Sequence, residues 1–130
     1  MTRNKDWLIY SQELIDIAEL LLNKGRYSWS CFTSQQASTA ALKAVLSISN
    51  ESTFGDNLIA LLRIVKETYT IPEDVKKACH YVNDFFTKCR DLENKPDGTP
   101  LNYFTLEDAQ QAKNSALTIL RFAHHNSSNS

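Results

Sequence analysis

The chain has 130 residues, 42% hydrophobic and 22% charged, the proportions of an ordinary globular domain. Its 14 basic and 15 acidic residues leave a net charge of −1, so bulk charge argues against a general nucleic-acid or membrane-surface binder. Three glycines and three prolines supply little turn chemistry, which disfavours many short strands and favours long helices.

The first helix is expected over about Asn4 to Lys24. Trp7, Tyr10, Leu14, Ile17 and Leu21 recur at three and four residues, and Leu8, Ile15 and Leu22 widen the stripe. Gly25 stands where a C-terminal glycine belongs. The second helix, about Arg26 to Ser49, has a different texture. Trp29, Phe32, Gln36, Ala40, Ala44 and Ile48 form one line, and Cys31, Ser34, Ala41 and Val45 another. Small residues on several faces let neighbouring helices approach closely, so this helix should be the most buried. If Trp29 belongs to that core, its truncation to alanine should cost roughly 3–5 kcal/mol.

Asp56 is a suitable N-cap for a shorter third helix, whose apolar face is Leu58, Leu61, Leu62 and Val65. Pro72 fits the first position of a fourth helix, with Glu73 and Asp74 in its first turn. Val75, Cys79, Val82, Phe86 and Cys89 make its stripe, with Ala78 and Phe85 beside it. Residues 91–104 hold two prolines and a glycine and form the longest irregular connection. Thr105 with Asp108 reads as a capping box for the last helix, which turns Ala109, Ala112, Ala116, Leu120 and Ala123 inward. The fold class is therefore all-α: an antiparallel up-and-down bundle of four long helices and one shorter one. A single domain spans 1–125, and 126–130 is expected as a frayed polar tail.

Cys31, Cys79 and Cys89 are odd in number, and MTRNKDW lacks the apolar run of a signal peptide. The chain reads as cytoplasmic, with reduced thiols. Cys79 and Cys89 are ten apart, no C-x-x-C or Glu-x-x-His pattern occurs, and the glycines stand alone. No metal, cofactor or phosphate loop is expected.

Polar residues at helix ends remain. Arg26 opens the second helix and Arg90 closes the fourth, so bundle topology allows both to line one end beside the 91–104 loop. Two guanidiniums in a cleft suit a phosphate or an RNA backbone. The alternative is a solvated pair, or one bridged to Asp91 and Glu93. One of Gln35 and Gln36 must lean inward, where its amide needs partners. Such a glutamine either fixes helix register or lines a ligand cleft or dimer seam.

"GRYSWSCFTSQQASTAALKAVL", residues 25–46, resembles the signature helix of the HEPN domain family (higher eukaryotes and prokaryotes nucleotide-binding). "GDNLIALL" is similar to that family's third-helix segment, Arg90 with its following proline loop to its Arg-Tyr-Pro region, and "YFTLEDAQQAKNSALTIL" to the start of its last helix. The resemblance implies a homodimeric bundle, association with a small nucleotidyltransferase protein, and binding of a nucleotide or RNA phosphate. On it, Arg26, Tyr27, Trp29, Gln36 and Arg90 are the candidate ligand-binding or dimer-seam residues.

Some branches of the family are metal-independent ribonucleases, toxins of toxin–antitoxin pairs among them. These use an Arg and a His separated by four to six intervening residues. Here Arg90 is followed by DLENKPDG, Arg63 by no His in range, and Arg121 precedes His124 too closely. Cleavage without a metal needs a proton-transfer group at the 2′-hydroxyl, and His80, ten residues before Arg90, is the one candidate to replace it. Thr39 and Ala40 stand where the family often has Glu-Lys, and Asp56 where it often has His. The sequence thus reads as a non-catalytic binding protein. A ribonuclease toxin and a purely structural dimeric module are the alternatives.

Overall fold

The computed structural model describes residues 3–48, 55, 57–89 and 96–127. It is all-α, and no strand occurs among the described residues. The helices are α1 (Asn4–Asn23), α2 (Tyr27–Ile48), α3 (Leu58–Lys66), α4 (Glu73–Asn83), α5 (Phe85–Lys88) and α6 (Leu106–Ser127), with one 3-10 turn at Pro100–Tyr103.

Helix α1 ends as its sequence requires. Gly25 takes φ 74°, the left-handed conformation that glycine adopts without a Cβ penalty. The Gly25 N–H then bonds the Leu22 carbonyl at 3.0 Å and the Arg26 N–H the Leu21 carbonyl at 2.8 Å. This Schellman pairing turns the chain straight into α2. Two serines then join the antiparallel pair. The Ser11 hydroxyl donates to the Ala37 carbonyl and the Ser30 hydroxyl to the Ala18 carbonyl, each at 2.7 Å. A hydroxyl reaches a neighbouring backbone only where small residues let two helices close in.

That clasp shifts the core stripe of α1: Leu8, Ile15 and Leu22 are buried as expected, and Trp7 and Leu14 pack against the core half-buried. The buried line is Leu8, Ser11, Ile15, Ala18 and Leu22. Tyr10 and Ile17 are instead 49% and 44% exposed. The close contact with α2 selects serine and alanine, and pushes the bulkier residues to its margin. The reading of α2 as the most buried helix holds: Ala37, Ala41, Leu42, Ala44 and Val45 have no exposure. Seven of the nine buried polar residues in the described chain also lie on α2. Most bond within one helical turn, as Ser38 does to the Ser34 carbonyl at 2.8 Å.

Helix α6 is antiparallel to α1, with Glu19 bridged to Lys113 at 3.0 Å and Asn4 donating to the Ser127 carbonyl at 3.5 Å. The capping box is present: Thr105 N–H meets the Asp108 carboxylate at 2.9 Å, and Asp108 N–H meets the Thr105 hydroxyl at 3.1 Å. All five expected inward residues of α6 are buried. The helix continues through His124 and His125 to Ser127, whose side chain is buried, past the point where fraying was expected.

The third helix is capped by Asn57, whose side-chain oxygen accepts from Ile59 and Ala60 N–H at 3.0 Å. Asp56, the cap expected from sequence, lies outside the described residues. Pro72 sits at the N-cap of α4, one position before the one expected. The fourth helix is broken at Asp84 into α4 and the single turn of α5. The break leaves Val75, Cys79, Val82 and Cys89 buried as expected, and brings Phe85 edge-on to Tyr81 and Phe104.

The cysteines are free thiols inside the core. Burial pushes the Cys79 thiol from its ordinary 9.0 up to about 12. Cys31 also rises, because its thiol hydrogen-bonds with that of Cys89 and both are buried. In the unfolded chain these thiols ionise near 9, so above that pH the unfolded state binds fewer protons. Stability is complete below about pH 9 and falls as pH rises, by roughly 1.4 kcal/mol per unit for each such thiol. Thermal melts from about pH 8 to about pH 11 should show that decline; a flat profile would remove these thiols from the buried set.

Candidate functional site

The residues displaced from the α1–α2 contact assemble on its outer side. On α1 these are Trp7, Tyr10, Leu14, Ile17 and Leu21, spaced three and four apart along one face. Trp29, Phe32, Gln36 and Lys43 form the accessible line of α2 beside them. Lys43 Nζ lies 5.4 Å from the centre of the Trp7 ring, which ties the two lines together across the helix pair. Edge-to-face pairs stiffen both ends: Trp7 with Tyr10 at 6.2 Å, and Trp29 with Phe32 at 5.7 Å.

This face is more apolar than an ordinary surface. Of the seven large hydrophobic residues exposed in the described chain, three lie on it: Tyr10, Ile17 and Trp29. A small monomer seldom leaves so many together, and contiguous patches of this kind mark interaction surfaces. Its polar members are few and placed. Gln36 is half-buried and donates its amide to the Oε1 of Gln35 at 2.6 Å. Gln35 has no exposure and gives its own amide hydrogen to the Thr39 hydroxyl at 3.3 Å. Gln35 is thus the inward glutamine of the pair, and Gln36 belongs to the face.

The HEPN domain family profile matches residues 4–126. The chain belongs to the HEPN domain family. It is similar to three solved structures over nearly its whole length. TT1696 from Thermus thermophilus is 29% identical, with a TM-score of 0.91 covering 97% of this chain and 99% of that one. The HEPN domain protein tm0613 from Thermotoga maritima is 26% identical, with a TM-score of 0.79 over 96% and 99%. ST0689, an archaeal HEPN homologue, is 25% identical, with a TM-score of 0.79 over 96% and 98%. No curated protein matches.

Within this HEPN domain the candidate residues do not form one cluster. Trp29 and Gln36, seven residues apart, share the outer line of α2. Tyr27 is half-buried against the core, and its nine-residue spacing from Gln36 puts it about half a turn out of phase. Arg26 is exposed at the entry to α2, where its carbonyl accepts from Ser30 N–H at 2.9 Å. Arg90 lies outside the described residues.

Trp29 is 48% exposed, which overturns its placement in the core. Trp29→Ala should accordingly cost about 1 kcal/mol, chiefly the edge contact with Phe32, rather than the loss expected for a core tryptophan. Urea denaturation checks it, and a loss above about 3 kcal/mol would return Trp29 to the core. Ile9 and Leu20 are also exposed, but they fall off the periodic stripe and outside this face. No three His, Cys, Asp or Glu residues are grouped to hold a metal among the described residues, and no described helix is long and apolar enough to cross a membrane.

Proposed function

We propose that this HEPN domain acts as a non-catalytic homodimer, joined through the outer face of α1 and α2, that binds a nucleotide or RNA phosphate. One observation carries the dimer: Tyr10, Ile17 and Trp29, three of the seven exposed large hydrophobics among the described residues, lie on that face. Tyr and Trp on it are residue types enriched in protein interfaces.

In this reading Arg26 and Arg90 hold the phosphate at one end of the bundle. The contact between Cys31, near the start of α2, and Cys89, the residue before Arg90, supports that pairing. A small nucleotidyltransferase is the protein partner, a proposal that rests on the family resemblance alone. The non-catalytic reading rests on the absence of a His in range of Arg90.

Sedimentation velocity at micromolar concentration should show a dimer, and a clean monomer would end the seam proposal. Calorimetry with nucleotides and short RNA, the RNA then recovered and sized, tests the ligand. Saturable binding that Arg26→Gln or Arg90→Gln weakens, with the RNA intact, supports the reading. Cleavage that survives EDTA would make the protein a ribonuclease.

A further inference from the structure

A recess lies between α3 and α4, built from residues other than Arg26 and Arg90. Its volume is about 280 Å³, and its floor is Ile59, Leu62 and Ile71. Leu62 and Ile71 are each 7% exposed, so the floor is continuous with the core. The remaining lining is wholly basic: Arg63 and Lys66 one turn apart on α3, and Lys76 and His80 one turn apart on α4. The Leu58 N–H donates to the Asn83 side-chain oxygen at 2.9 Å, pinning the start of α3 to the end of α4.

The charge here is local and unanswered. The whole chain carries −1, yet no carboxylate lines this recess. Asp74, near Lys76 on α4, lines the groove toward α6 instead. The ion pairs among described residues join Arg3 to Asp6, Lys88 to Asp84 and Lys113 to Glu19; Arg63, Lys66 and Lys76 have none. Three cations held together without counter-charge repel one another, and an anion seated among them removes that repulsion.

We propose that this recess is a binding site for a phosphate monoester carrying one compact apolar or aromatic body. The guanidinium of Arg63 and the ammonium groups of Lys66 and Lys76 meet the phosphate dianion, the first with a fork that matches its oxygens. The ester's body lies on Ile59, Leu62 and Ile71. Size selects this class: a bare anion leaves the floor uncovered, and a recess of this volume encloses one small group rather than a chain of them.

Phenyl phosphate is the probe, with inorganic phosphate and phenol as its two halves. In the intact protein with labelled methyl groups, phenyl phosphate should shift the resonances of Ile59, Leu62 and Ile71 saturably. It should bind at least tenfold more tightly than either half. Arg63→Gln combined with Lys76→Gln should weaken it tenfold or more with an unchanged melting temperature, since Arg63 is exposed and Lys76 only half-buried. Shifts confined to other methyls, inorganic phosphate binding as tightly as the ester, or affinity that survives the double substitution would each overturn the proposal. So would the absence of any methyl shift at millimolar probe. The wild-type methyl map decides the matter even if the double variant folds poorly.

Discussion

Ser30→Leu should lower the stability of the domain by about 2–4 kcal/mol. The Ser30 hydroxyl is fully buried and bonded to the Ala18 carbonyl across the α1–α2 contact, where the backbones are close enough for a 2.7 Å bond. A leucine there adds volume that the contact cannot accept, about 1–3 kcal/mol for an overpacked site, and removes a hydrogen bond of about 0.5–1.5 kcal/mol. Ser30→Ala separates the two effects, because it deletes the hydrogen bond without adding bulk. Urea denaturation at one fixed protein concentration gives both numbers. If the leucine variant lost no more than the alanine variant, the contact would have slack and the clasp would not set the helix spacing.

Ile17→Asp should dissociate the proposed dimer. Ile17 is 44% exposed, in the middle of the outer face, with Leu14 and Leu21 on either side. Burying an unpaired carboxylate at the centre of an interface is costly, and a central anchor is typically worth about 2 kcal/mol or more, roughly thirtyfold in the dissociation constant. The monomer should keep its helical circular dichroism, because Ile17 contributes little to its core. Its melting temperature should also lose the concentration dependence expected of the wild-type dimer. An unchanged sedimentation profile would mean that this face is not the seam.

The end of α1 and the start of α6 were legible because their signals are local. Gly25 at a left-handed turn, Thr105 with Asp108, and the alanine ladder of α6 each act within a few residues. What misled was the inward direction of α1. Periodicity marks two apolar lines on that helix and cannot say which one faces α2. The answer depends on Ser11 and Ala18, residues that hydropathy ranks low and that only a close partner helix explains. Trp29 failed for the related reason that periodicity cannot say which side of α2 is covered, and Trp29 lies on the accessible side. The α3–α4 recess was hidden differently: Arg63 and His80 are seventeen positions apart, and only the antiparallel pairing of the two helices makes them neighbours.

The Gln36–Gln35 bond means that the domain's surface and interior are wired together. A partner covering the outer face must either leave the amide of Gln36 where it is or supply Gln35 with a replacement donor, in a place solvent does not reach. Losing that hydrogen bond costs about 0.5–1.5 kcal/mol, enough to lower affinity about two- to tenfold. The core thus screens what may lie on the face above it, rejecting surfaces that compete for one amide.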